Sequence, residues 1–263
     1  MIPLREQELI RQRFAQDLTG PVKIDLFTVR PLPVYVPGRQ ECPTCPDMEQ
    51  VLTEISRLSD RIDLRVFELG RHRDLEERYG VTVAPTAVVR GPVNRPVLFV
   101  GLPSGRLFPA LIETIVDVSR EPPAPPPSIR RRLKRVKGLV RVRLFALPDA
   151  PYCAEMARVV EVIALASPHL RAEIIEAGEF PTLTERYGVR AVPATVVDER
   201  PPLLGMVSPD DLVEEIVHAA ERHALTPRAA VSTVPPTATP LPSRREPSEP
   251  GQVRPSGLII PNR

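Results

Sequence analysis

The chain has 263 residues, 42% of them apolar and 26% charged, with a formal net charge of +2. That length holds one large domain or two of about 100 to 150 residues with full apolar cores, and two is the better fit. A near-neutral balance excludes a global field that would draw the protein to nucleic acid or a membrane surface, so only local patches are left to support such a role.

The opening "MIPLREQELIRQRF" alternates charged and apolar residues, reads as a helix, and lacks the continuous apolar run of a secretory signal. No stretch approaches the roughly 20 apolar residues of a membrane span, so a cytoplasmic protein is expected. A strand over residues 22–29 follows. The segment "PLPVYVPGRQ", 31–40, is a loop and a candidate partner contact. Cys42 and Cys45 then stand three positions apart at the mouth of a helix over 46–58, whose Met48, Val51, Leu52, Ile55 and Leu58 form one apolar stripe. A strand over 63–69, a short helix near 73–80, a strand in "VAPTAVV" opened by Pro85, the strand "PVLFVG" and a helix over 104–118 complete the unit. "EPPAPPPS", from Glu121, is extended and semi-rigid and reads as a linker. "SIRRRLKRVKG" comes next; Ile129, Leu133 and Val136 make a helical stripe, which puts its cations on a solvated face rather than in a nucleic-acid patch.

Beyond this point the chain repeats itself. "ERYGVTVAPTAVV" at Glu77 lines up with "ERYGVRAVPATVV" at Glu185, and the same offset sets Cys45 on Cys153, Met48 on Met156 and Pro85 on Pro193. "VKIDLFTV" at Val22 matches "VRVRLFAL" at Val140, so the first copy carries extra residues just before its cysteines. The closing helix of the second copy begins at "SPDDLVEEIV", with Ser208 as N-cap, Pro209 in the first turn and acids behind it. Each copy is an α/β unit with a mixed sheet. The expected organisation is a first unit at 1–120, a linker at 121–127, a second unit at 128–225 and a Pro-, Ser- and Thr-rich tail at 226–263, too poor in apolar residues to order itself.

Three cysteines are too few for a structural disulfide framework, and a close pair in a reducing compartment is more often catalytic or metal-binding. Cys42 precedes a helix N-terminus, whose unpaired N–H groups favour the thiolate, so it is the candidate nucleophile. Cys45, one turn along, is placed to displace a partner bound to Cys42 as a mixed disulfide. Pro43 stiffens the turn between them. Zinc needs four ligands, and Cys153, His72, His169, His218 and His223 offer no second pair at ligand spacing, so no metal is expected. Two inert buried thiols are the third reading. Asp25, on the first strand, is a candidate proton-shuttling acid; its counterpart Arg143 is of a type rarely buried, which implies a position that tolerates solvent.

With "CPTC" at 42–45, prolines at 85 and 193, "GLPSG" and "TIVDVSRE", the chain resembles the protein disulfide oxidoreductases of thermophiles, also called glutaredoxin-like. The many prolines and few asparagines agree with such a source. The resemblance implies two tandem thioredoxin-like domains, each a mixed central sheet flanked by helices, and dithiol–disulfide exchange with protein substrates. It also implies no bound cofactor, the Cys42–Cys45 disulfide being the redox centre. Pro85 would be cis and lie against the pair, with Pro43, Thr44 and the backbone of Ala84 meeting the substrate. Implied partners are disulfide-bearing proteins such as a peroxiredoxin, and a thioredoxin reductase-like flavoprotein as electron donor. The second copy departs from the pattern. Its frame reads "APYC", with Ala150 at the attacking position, so only Cys153 survives there, as a candidate relay thiol in an otherwise silent unit that shapes the substrate surface. Two other classes compete: a non-catalytic client-binding scaffold, and a redox sensor.

Overall fold

A computed structural model describes residues 2–30, 41–121 and 125–225. The 31–40 loop, residues 122–124 of the linker and the 226–263 tail lie outside the described residues. The described part belongs to one compact unit that ends at Pro227.

The first half runs α1 (Leu4–Asp17), β1 (Val22–Thr28), α2 (Cys45–Ser56), β2 (Ile62–Glu68), α3 (Arg73–Tyr79), β3 (Thr86–Arg90), β4 (Val97–Val100) and α4 (Leu107–Ser119). The second runs α5 (Pro127–Leu133), β5 (Val140–Ala146), α6 (Cys153–Leu165), β6 (Leu170–Glu176), α7 (Pro181–Arg186), β7 (Ala194–Val197), β8 (Leu203–Leu204) and α8 (Pro209–Leu225). The periodic stripes become the core: Met48, Leu52 and Ile55 from α2 and Met156, Val160 and Ile163 from α6 are buried against the sheet. Ser208 caps α8 by accepting the Asp211 N–H at 3.2 Å. The helix expected from residue 104 starts at Leu107, because Gly105 takes a left-handed φ of 52° that no helix accommodates. Of the basic segment, Ile129, Leu133 and Val136 are buried, and Arg130, Arg131, Lys134 and Arg135 face solvent.

All strands form one eight-stranded sheet in the order β2-β1-β3-β4-β6-β5-β7-β8. In each half a parallel pair (β1·β2, β5·β6) is followed by two antiparallel pairings (β1·β3 and β3·β4, β5·β7 and β7·β8). The halves meet where β4 pairs in parallel with β6, from Val97 opposite Ala172 to Val100 opposite Ile175. This joint is head-to-tail, not two-fold: the last strand of one half meets the second strand of the other. The two halves therefore have different surroundings. The C-terminal end of β4 has Glu176 and the loop after β6 beside it, whereas the equivalent strand β8 is the sheet edge among the described residues.

Strand alternation sends Ile24 and Leu26 to the core under α1, α2 and α4, and sends Phe27 to the opposite face against Tyr79, Val81 and Leu98. Asp25 shares the Phe27 face. It is fully buried, which corrects the expectation of a solvent-tolerant position. Its carboxylate is held by Arg65 at 2.6 Å and Arg90 at 2.9 Å. Arg143 is buried too, at 6% exposure, and donates to Glu173 at 2.8 Å. The repeat has exchanged the signs of one ion pair: Asp25–Arg65 across β1·β2 becomes Arg143–Glu173 across β5·β6. Both positions can be buried because each charge is paired.

Candidate redox site

Cys42 and Cys45 form a disulfide with their Cα atoms 5.4 Å apart. Cys45 is the first residue of α2 and is buried, its Sγ accepting the Val29 N–H at 3.4 Å. Cys42 lies in the preceding turn and is partly exposed, so it is the more accessible of the two sulfurs. The twelve-residue helix directs its free N–H groups toward this turn, and Asp47 is the acid of its first turn. The pair thus has one accessible and one shielded sulfur, the asymmetry that stepwise exchange requires.

The Ala84–Pro85 peptide bond is cis. An open cleft of about 540 Å³ has Cys42, Pro43, Thr44, Val83 and Ala84 on one side and Glu179, Phe180, Pro181, Leu183 and Arg186 on the other. The second half therefore contributes a wall of the cleft that holds Cys42. The β4·β6 joint accounts for this. Pro85 accepts the Gly101 N–H at 2.9 Å just past the end of β4, and Glu176, at the end of β6, lies alongside. Gly101 has φ of 91°, and a Cβ there would stand 2.7 Å from Cβ of Glu176, so only glycine lets the two segments approach so closely.

Two acids enter the site by this route. Glu179 accepts the Thr44 hydroxyl at 2.5 Å and, with its other oxygen, the Leu102 N–H at 2.6 Å. Glu176 is buried and accepts the N–H groups of Glu179 at 2.6 Å and Gly178 at 3.2 Å. Burial pushes its carboxyl above the usual range, and the neighbouring Glu179 charge adds to that, against the lowering effect of the two N–H donors. Neither acid was singled out by sequence reasoning. The signal available was a charge reversal in the repeat, where Glu179 stands opposite Arg71.

Asp25, by contrast, is on the sheet face away from α2 and four residues before Val29, about 13 Å along the strand from the residue that touches Cys45. Its two arginines and not the cysteines are its partners.

The second copy keeps the frame without a cysteine pair. Val192–Pro193 is cis and Cys153 opens α6, fully buried. Burial raises the Cys153 thiol above its ordinary value, the Leu147 N–H opposing that and Glu155 adding to it. Ala150 is partly buried, and the loop before it is packed by the first half: Pro148 accepts the Arg106 N–H at 3.0 Å, and a Cβ on Gly105 would lie 3.1 Å from Pro148. No group of three or more potential metal ligands occurs among the described residues, and no described helix is long and apolar enough to cross a membrane.

Comparison with known proteins agrees with this architecture. A thioredoxin domain model matches residues 141–218, in the half that lacks the cysteine pair. The protein disulfide oxidoreductase of Aeropyrum pernix superposes with a TM-score of 0.72 at 22% identity, over 84% of this chain and 94% of that one. A mutant of the alkylhydroperoxide reductase AhpF from Enterococcus faecalis gives 0.70 at 21%, over 82% and 99%. Among curated sequences, the corresponding alkyl hydroperoxide reductase chain of Staphylococcus aureus is 23% identical over 180 residues, 66% of this chain. The chain spans 32% of the length of that relative. The likeness to the disulfide oxidoreductases thus holds for the fold, which is thioredoxin-like.

Proposed function

We propose that this protein is a thiol–disulfide oxidoreductase that exchanges electrons with disulfide-bearing proteins through Cys42 and Cys45. The observation that carries the reading is the Cys42–Cys45 disulfide at a helix mouth, with its partly exposed sulfur in a cleft beside cis Ala84–Pro85. In the reducing direction, the Cys42 thiolate attacks one sulfur of the client disulfide. A Cys42–client bond forms, the client bond breaks, and the leaving sulfur takes a proton. Cys45 then loses its proton and attacks Cys42 Sγ, which closes the Cys42–Cys45 bond and releases the second client thiol. The client gains two electrons and two protons, and the pair loses them. The redox centre is the pair itself, without a bound cofactor.

Ala84 lines the cleft and presents its backbone to an extended client segment, with Pro43 and Thr44 opposite. Glu179, bound to the Thr44 hydroxyl next to Cys45 in the chain, is the acceptor for the proton that leaves Cys45, and Glu176 fixes the Glu179 backbone by accepting its N–H. Asp25 is a structural acid in this reading. The second half walls the cleft and takes no electrons, since Ala150 cannot attack and Cys153 is sealed. The reading takes a peroxiredoxin-type client and a flavoprotein donor in the cytoplasm; relatives that share this fold are named alkyl hydroperoxide reductases, which supports a link to peroxide reduction.

The test is reduction of insulin disulfides with dithiothreitol as donor. Wild type and Cys153→Ser should be active and Cys42→Ser inactive. Activity that depends on Cys153 would overturn the assignment. An inactive wild type would favour a binding scaffold on the same fold.

A further inference from the structure

A second cleft, of about 260 Å³, crosses the β4·β6 joint on the face that carries α3 and α7. Its floor is apolar, with Leu98, Val100 and Ile175, but its walls hold Arg141, Arg143 and Arg186. Arg171 stands behind Gly80, where a Cβ would lie 2.5 Å from Nη2 of Arg141 and 3.2 Å from Nη1 of Arg171. Facing these four guanidinium groups are Glu173, Glu199 and Asp198. Glu173 Oε2 accepts from Arg143 at 2.8 Å, while its Oε1, 3.9 Å from Arg141, has no hydrogen-bond partner among the described residues. Glu199 accepts the Tyr187 hydroxyl at 3.2 Å and lies 3.9 Å from Arg143, and Asp198 accepts the Arg141 backbone N–H at 2.9 Å. The remaining cations are poorly matched. Arg186 lies over the Tyr187 ring, 5.5 Å from its centroid. Arg171, only 8% exposed, donates to the Arg78 carbonyl, but its Nε meets no acceptor among the described residues. Burial and the neighbouring Arg141 charge weaken its hold on its proton. A buried donor without an acceptor beside surplus positive charge is the setting that an anion relieves.

Val83, Leu183 and Arg186 line this cleft and also the one that holds Cys42. The two are neighbouring stations along one surface. We propose that the arginine-lined cleft is a subsite for carboxylate side chains, so that the protein selects clients whose disulfide is flanked by acidic residues. The inference rests on the cleft at Cys42 being where the client binds. Arg186 is the first contact for such a carboxylate, and Arg141, backed by Arg171, is the second. The planar guanidinium fork suits a carboxylate, and the apolar floor removes water from the pair.

The experiment separates binding from chemistry. Two labelled disulfide-closed peptides are compared, one with glutamates on both sides of the disulfide and one with glutamines in their place, by fluorescence anisotropy on full-length protein carrying Cys42→Ser and Cys45→Ser. The acidic peptide should bind about ten- to a hundredfold more tightly at low salt, the range of one charge-assisted hydrogen bond. That ratio should fall toward one when Arg141→Ala or Arg186→Ala is added, and should persist with Arg131→Ala, an exposed cation on α5 that serves as a control for net charge. Arg186 is exposed, so its removal does not threaten the fold. Equal affinities for the two peptides, or a preference that survives both substitutions, would overturn the proposal. Failure of the exchange reading shows instead in the insulin assay, which these proteins, lacking the Cys42–Cys45 pair, do not enter.

Discussion

Glu161 offers the sharpest test of how the two halves are held together. It lies on α6, fully buried against α4, and its Oε1 has no hydrogen-bond partner among the described residues. Its other oxygen accepts from Arg158 at 2.5 Å, Arg158 also holds Asp117 of α4 at 2.6 Å, and Asp117 pairs with Arg120. Burial raises the Glu161 carboxyl from 4.5 to about 7, opposed by Arg158 and helped by Asp117. The sign follows from the proton count. Below about pH 4.5 the carboxyl is protonated in both states. Between that value and about 7 the folded protein keeps a proton that the unfolded chain releases, so stability falls as pH rises through this window. The full span corresponds to about 3 kcal/mol, at about 1.4 kcal/mol per pKa unit. Glu161→Gln replaces the acid with a neutral isostere, so it should match wild type at about pH 4.5 and exceed it by about 3 kcal/mol at about pH 8. In urea unfolding that is a midpoint shift of about 1 M for a chain of this size. Equal midpoints for the two proteins at both pH values would refute the idea that this joint buries an acid that must ionise at neutral pH.

The remaining predictions concern the site. Asp25→Asn should cost about 2 to 3 kcal/mol, less than a wholly buried pair because Arg65 is 43% exposed, while insulin reduction per folded molecule stays at the wild-type rate. A slow but fully stable variant would make Asp25 part of the chemistry. Glu179→Gln should slow turnover about tenfold or more and change its pH profile, with the Cys42 alkylation rate little altered; an unchanged profile would remove Glu179 from the proton path. Gly101→Ala forces a Cβ to 2.7 Å from that of Glu176 in a left-handed conformation, so it should lower both stability and turnover. Cys153 should resist iodoacetamide in the native protein and react on unfolding, as expected of a fully buried thiol whose ionisation burial opposes.

Much of this protein is written locally in its sequence. The apolar stripe from Met48 to Ile55, the alternation in "VKIDLFTV", the capping at Ser208 and the repeat from Glu77 onto Glu185 define helices, strands and two copies of one α/β plan, because each depends on side-chain period within a few residues. The cysteine spacing belongs to the same class, since one helical turn brings Cys45 to Cys42 wherever the helix lies. The fate of Asp25 was half legible. Strand alternation puts it opposite Leu26, but only the pairing of β1 with β2 and β3 supplies the two arginines that allow its burial. The acids of the site, and the arginines of the second cleft, were not legible at all. Glu179 reaches Thr44 across 135 positions of chain, and does so only because β4 pairs with β6. A repeat fixes what each copy does with its own residues. Which edge of one copy adds to which edge of the other is decided by the fit of whole sheets, and that choice set the second half against the cysteines of the first.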